Sequence, residues 1–142
     1  MPYQFYTKRR IEFVDVDLAG FVHFSRFFIF METAEHEFLR SLGTSVHSRI
    51  DDKEVGWPRL ACSCEYFSPA KFEDMLDIEL TVIRKGRTSM TYQFRFLRDK
   101  TFIARGLTSS ICCIIDPVKG IKPIRIPSNI SEQITLPKRS RK

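Results

Sequence analysis

A chain of 142 residues, 43% hydrophobic and 28% charged, has the size and balance of one globular domain, which excludes a disordered chain and would cramp a second folded unit. The longest uncharged stretch, residues 106–115, falls short of the ~20 apolar residues a membrane helix needs, and the opening MPYQFYTKRR lacks the apolar core of a secretory signal, so a cytoplasmic address is expected. The formal charge of +6 falls to +2 once Lys138, Arg139, Arg141 and Lys142 are set aside; the expected layout is one domain over residues 1–136 and a basic, disordered tail over residues 137–142.

In chain order, residues 8–14 read as a strand that ends in an acidic turn over residues 15–20. Between residues 24 and 42 apolar side chains recur at Phe24, Phe27, Phe28, Met31, Ala34, Phe38, Leu39 and Leu42, which is helical spacing. Ser25 stands where an N-cap belongs and Gly43 where a C-terminal glycine cap belongs. The helix is apolar almost all round at residues 27–31, so it should be enclosed on more than one side. Glu32, His36 and Arg40 form a polar flank, whereas Glu35 falls on the apolar stripe. Residues 44–58 read as a loop. Strand-like runs follow at 60–67, 75–84, 88–98 and 102–115, punctuated by Pro69 with Glu73–Asp74, by Lys85–Gly86 and by Asp99–Lys100. Asp116-Pro117 closes the last run, and residues 126–134 suit a short terminal helix entered through Pro127.

A strand, a long helix and then four strands joined by short turns predict an α+β layout, with an antiparallel sheet of about five strands wrapped around one central helix. One helix covered by one sheet leaves a sheet face or a strand edge bare, which argues for a homo-oligomer. The cysteines are Cys62, Cys64, Cys112 and Cys113. They form no C-x-x-C pair and lie inside strand-like runs, so they are expected to be reduced and buried, with no metal site.

The most pointed segment is Asp15-Val16-Asp17-Leu18-Ala19-Gly20-Phe21-Val22-His23-Phe24. Two acids and a glycine precede a helix whose first turn presents unpaired N–H groups and the positive end of its dipole. A carboxylate beside such donors suits attack on a carbonyl: the acid attacks or activates water, and the N–H groups hold the developing oxyanion. On residue types alone, the two acids could equally shape the turn and offset the dipole.

RIEFVDVDLAGFVHFSRFF, followed by E-x-A-x-x-E-F-L-R-x-x-G over residues 32–43, resembles the 4-hydroxybenzoyl-CoA thioesterase family of hotdog-fold proteins. Trp57-Pro58, the stretch Tyr66-Phe67-Ser68-Pro69-Ala70 with Phe72 and Asp74, and the closing segment around Ile115-Asp116 and Ile124-Arg125-Ile126-Pro127 extend the resemblance over most of the chain. It implies a hotdog fold, hydrolysis of an acyl-coenzyme A thioester without a cofactor, and a homodimer or homotetramer. It also implies that Asp17, the second acid of the block, is the catalytic carboxylate and that the backbone N–H of Phe24 binds the thioester carbonyl. Family members often carry Tyr or His at position 24, Asn at 26 and Tyr at 27; this chain has Phe24, Arg26 and Phe27. His23 is the one histidine near the acids, and no Asn-Pro follows them as it does in related hydratases. Glu35 is a second candidate acid, because another hotdog branch carries its acid on the helix. For the coenzyme A phosphates the cations at Arg84, Lys85 and Arg87 are candidates, and Arg59 is another, with Trp57 beside it to pack against pantetheine or adenine.

A different class of function is a module that binds RNA or another polyanion, for which the strand Thr91-Tyr92-Gln93-Phe94-Arg95-Phe96 offers aromatics interleaved with a cation. No RNP-type sequence accompanies it, so neither nucleic acid nor membrane is an expected partner. The acyl group, and coenzyme A against acyl carrier protein as the thiol carrier, stay open.

Overall fold

The computed structural model describes residues 3–137, so the expected basic tail, save Pro137, lies outside the described residues. The elements are β1 (Gln4–Arg10), a 3-10 turn (Phe13–Asp15), α1 (Arg26–Ser41), β2 (Ser48–Ile50), β3 (Lys53–Gly56), β4 (Arg59–Tyr66), β5 (Met75–Lys85), β6 (Ser89–Arg98), β7 (Thr101–Ile111), β8 (Cys113–Asp116), β9 (Gly120–Pro123) and α2 (Ser128–Ser131). The main sheet is antiparallel in the order β1-β5-β6-β7-β4 and wraps α1. This is the hotdog arrangement, with one long helix and a five-stranded sheet.

The expected strand count is too low, because a second sheet of order β2-β3-β8-β9 exists. Two of its strands lie in the expected loop at residues 44–58. β8 arises because the run at residues 102–115 is not one strand, and β9 follows the Asp116-Pro117 turn and folds back onto it. At Cys112 the chain leaves the main sheet: its N–H donates to the Thr88 carbonyl (2.7 Å) and its carbonyl accepts from Ile124 N–H (2.9 Å). β8 then pairs with β3 instead.

The core follows the two periodicities. Phe27, Phe30, Met31, Ala34 and Phe38 of α1 meet the inward residues of β5 (Leu76, Ile78, Leu80, Val82) and β6 (Met90, Tyr92, Phe94, Phe96), and all are buried. The helix lies so close to β7 that a Cβ at position 106 would stand 2.2 Å from Met31 Sδ; Gly106 is therefore what admits α1 to the sheet.

The outer face of the main sheet is polar. Lys8 pairs with Asp77 (3.7 Å), Arg95 with Glu79 (2.8 Å) and Arg105 with Glu65 (2.6 Å). Apolar surface is bare along β4, which is paired only with β7 among the described residues and leaves Leu60 61% exposed, with Tyr66 also exposed. Cys62 is exposed there, against the expectation of buried cysteines, because the strand is an edge; Cys112 and Cys113 are buried.

Candidate active site

The acidic block folds as a hairpin-like turn that delivers the chain into α1. Val16 bridges Val22, Asp17 N–H donates to the Phe21 carbonyl (2.9 Å) and Gly20 N–H to the Asp17 carbonyl (3.0 Å). Gly20 takes a φ of 85°, a conformation that disfavours side chains. Asp17 Oδ1 accepts the Ala19 N–H (2.9 Å) and, more weakly, the Phe21 N–H (3.4 Å), and its side chain is otherwise open to solvent.

Asp15 is the opposite case. It is 0% exposed and fully engaged: Oδ1 accepts Arg26 Nε (3.0 Å) and Nη2 (2.9 Å), and Oδ2 accepts the Glu12 N–H (2.8 Å). Its carbonyl also receives the His23 N–H (2.9 Å). The block therefore separates into one buried, structural acid and one free acid. Arg26 turns back onto Asp15.

At the start of α1 some backbone donors are satisfied, although among the described residues the Phe27 N–H, on a buried residue, has no acceptor. Arg26 N–H donates to the His23 carbonyl (2.9 Å) and Phe28 N–H to the Ser25 carbonyl (3.2 Å). Ser25 holds the cap position without capping the helix. Its hydroxyl meets His23 Nδ1 at 2.7 Å, and its N–H points to the same nitrogen (3.3 Å). The Phe24 carbonyl accepts the Tyr66 hydroxyl (2.9 Å). Among the described residues the Phe24 N–H has no acceptor. It is an unengaged donor at the positive end of a sixteen-residue helix. Phe24 is 63% exposed and stacks on His23, with centroids 4.5 Å apart.

Phe24 also lines a cleft of about 380 Å³, walled by Phe21, Phe27, Tyr66, Phe67 and Ser68 among others. Asp17 is not part of that wall; it stands behind Phe21, joined to it by the backbone bond. His23 serves the helix start and does not meet Asp17.

The other candidates are scattered. Glu35 is 1% exposed, and Arg59 grips both of its oxygens, Nη1 on Oε2 and Nη2 on Oε1. Glu32 lies 4.0 Å from the same guanidinium. The pair lines a separate hole of about 110 Å³ between α1 and β4, so Glu35 is balanced within its own chain and Arg59 is not a free cation. Burial on its own would weaken the guanidinium's hold on its proton, but the bonds it donates to Glu35 and the charges of Glu35 and Glu32 together outweigh that and strengthen it. Trp57 is buried in the core and offers no face to a ligand. Lys85 donates to the Ser131 (2.8 Å) and Ile134 (2.6 Å) carbonyls, closing the C-terminal end of α2. Arg84 and Arg87 are exposed, but on the β5–β6 hairpin at the far end of the sheet. Phe96 of β6 touches Phe27 (5.3 Å), and from there to Arg87 the strand covers about 30 Å at ~3.3 Å per residue. Within one chain these cations and the cleft do not meet. The participant that residue pattern did not single out is Tyr66, whose hydroxyl reaches the helix start from the end of β4.

A helix held in an antiparallel sheet, with an unpaired N–H at its start against an aromatic cleft, is an arrangement that suits carbonyl chemistry. The family pattern of the thioesterase superfamily matches residues 19–101, and the chain belongs to that superfamily. It is 30% identical over 128 residues to a protein of Aquifex aeolicus whose name carries the word esterase, covering 90% of this chain and 95% of that one. It is 26% identical over 121 residues to the acyl-CoA thioester hydrolase YbgC of Escherichia coli O157:H7, covering 85% of this chain and 88% of that one. The crystal structure of Slr0204, a 1,4-dihydroxy-2-naphthoyl-CoA thioesterase from Synechocystis, superposes with a TM-score of 0.81 at 23% identity over 92% of this chain and 95% of that one.

Proposed function

We propose that the protein hydrolyses an acyl-coenzyme A thioester to the free acid and coenzyme A. The observation that carries this reading is the unengaged Phe24 N–H at the head of α1, on a residue that lines an aromatic cleft. The thioester carbonyl oxygen accepts that N–H, which polarises the carbonyl and holds the oxyanion as it forms. Asp17, the unburied acid of the block, attacks the carbonyl carbon or takes a proton from the water that does. The carbon–sulfur bond breaks, the thiolate of coenzyme A departs and is protonated, and water supplies the hydroxyl of the acid. These steps call on no metal or redox cofactor. The E. coli relative's name supports acyl-CoA as the substrate class. Five aromatic rings around the cleft suit an aryl group or a short to medium aliphatic chain. A thiol-release screen over aryl, short-chain and medium-chain acyl-CoA esters tests the reading; no release from any ester overturns it.

The reading includes a homo-oligomer, a dimer or a tetramer of dimers. The β4 edge, with Leu60 and Tyr66 exposed, is open for pairing with a second copy, and pairing there is antiparallel by symmetry. That would turn the partner's hairpin end toward this cleft and give Arg84 and Arg87 a route to the coenzyme A phosphates. Light scattering should return at least twice 16.7 kDa at micromolar concentration. The polyanion-binding alternative has little to stand on. Tyr92, Phe94 and Phe96 face the core, and Arg95 is paired with Glu79.

A further inference from the structure

The turn carrying the Phe24 N–H is tied from two sides. On its N-terminal side the His23 N–H is fixed to the Asp15 carbonyl (2.9 Å), and Asp15 is itself held by Arg26. On its C-terminal side the tie comes from a distant strand. Tyr66, the last residue of β4, donates its hydroxyl to the Phe24 carbonyl at 2.9 Å across 42 residues of sequence. The Tyr66 ring is set by an edge-on contact with the buried Phe27, centroids 5.4 Å apart, so the hydroxyl has a fixed origin. The direction of an N–H depends on the torsions on either side of it. Holding both the preceding N–H and the residue's own carbonyl leaves little freedom for Phe24.

We infer that Tyr66 is a positioning residue: its hydroxyl, by holding the Phe24 carbonyl, aims the Phe24 N–H at the thioester carbonyl. This rests on the hydrolysis reading above. It differs from a substrate contact, because the hydroxyl is spent on backbone, and from a packing role, because the ring alone makes the packing contact. Desolvation, together with the neighbouring Cys64 thiol, pushes the phenol up to about 12, so it stays a donor through the neutral and mildly alkaline range.

Tyr66→Phe removes the hydroxyl and keeps the ring on Phe27. A donor that is present but loosely aimed should cost less than the ~100-fold of a donor deleted outright. The expected result is a kcat about tenfold lower, a KM within about twofold of wild type and an unchanged melting temperature. The amide nitrogen of Ser25 shares a peptide group with the Phe24 carbonyl, and its NMR resonance should move. If the wild type releases thiol and Tyr66→Phe keeps its kcat, the positioning role is overturned while the hydrolysis reading stands. A rise in KM alone overturns it too, by making the hydroxyl a substrate contact. No thiol release by the wild type from any ester overturns both. Should Tyr66→Phe lose its melting transition, Tyr66→His, which keeps a ring, replaces it, and wild-type kcat there with the Ser25 resonance moved, so that the bond is gone and the rate is not, has the same overturning force.

Discussion

The two ends of α1 are finished differently. At the C-terminal end the Phe38, Leu39, Arg40 and Leu42 carbonyls all find donors beyond the helix's regular ladder. Gly43 N–H bonds the Arg40 carbonyl (3.0 Å), Thr44 N–H bonds the Leu39 carbonyl (3.2 Å), and Gln133 Nε2 reaches in from beyond α2 to the Leu42 carbonyl (2.8 Å). This is a Schellman closure with an added side-chain cap. At the N-terminal end there is no side-chain cap, and the Phe24 N–H is left over beside a cleft. An unused donor lowers stability. The fold surrounds this one with ties that hold its neighbours and leave it free. The C-terminal end is closed, and the N-terminal end leaves a donor unpaired, the one the proposed hydrolysis would use.

Asp17→Asn should break the N-terminal end most severely. Asn keeps the oxygen that accepts the Ala19 N–H, so the turn survives, but the charge and the basicity are gone. Thiol release should fall at least ~100-fold, the lower range for losing a positioned acid–base group, with binding of acyl-CoA retained in calorimetry. Near-normal turnover in this variant, with Glu35→Gln inactive, would move the chemistry to the helix despite the grip of Arg59.

Asp15→Asn attacks the same turn through its foundation. The substitution leaves Arg26 facing a neutral group. Removing one partner of a fully buried pair costs 3–5 kcal/mol, and Arg26 is about one-quarter exposed, so a loss of about 2 kcal/mol is expected. Urea unfolding monitored by fluorescence measures it. Thiol release should fall far less than in Asp17→Asn, because Asp15 is buried and has no oxygen to spare.

The contrast between the two acids marks what the residue pattern could convey. The long helix was legible from its 3.6-residue spacing and from Gly43, and its observed span, Arg26–Ser41, lies inside the expected one. β4 to β7 were legible from alternation and turn residues. The hairpin joining β2 and β3 was not, because Asp51 and Asp52 sit at positive φ (51° and 63°) where Asn-Gly would have announced the turn. Nor was the break at Cys112, since apolar residues continue through it and the change of sheet is made by backbone bonds alone. The D-x-D-x-x-G block does form the turn that enters α1, but nothing in it separates a buried acid from a free one. That depends on Arg26 folding back. Lys85 looked like a surface cation beside Arg84 and Arg87. Its true partners are two carbonyls more than forty residues away, exposed only where α2 ends.

The exposed remainder of that cluster tests how far the active end reaches. Arg84→Glu with Arg87→Glu should raise KM for acyl-CoA several-fold and change kcat little, because contacts remote from the reacting carbonyl bind ground and transition states alike. Steady-state kinetics at two salt concentrations separate a phosphate contact from general charge, since a contact in the open weakens as salt rises. Unchanged KM would confine the site to the neighbourhood of the cleft.

The smallest effect belongs to the C-terminal end, and it sharpens the comparison by being silent in the assay. Gly43 closes α1 with a φ of 84°, where a side chain is strained, yet a Cβ there meets no atom within 4 Å. Gly43→Ala therefore carries only the backbone penalty of a left-handed alanine, about 1 kcal/mol. In a domain of this size that lowers the melting temperature by a few degrees, about 3–5 °C. The strain sits a full helix length, about 24 Å at 1.5 Å per residue, from Phe24. Since the helix is held along its length by the sheet, a loosened last turn has no rigid path to the first one. kcat and KM should both match wild type at 25 °C. A variant that melts earlier and hydrolyses normally separates stability at one end from chemistry at the other. If instead kcat falls with the melting temperature unchanged, the two ends are coupled through the helix, and the division of labour between them is wrong.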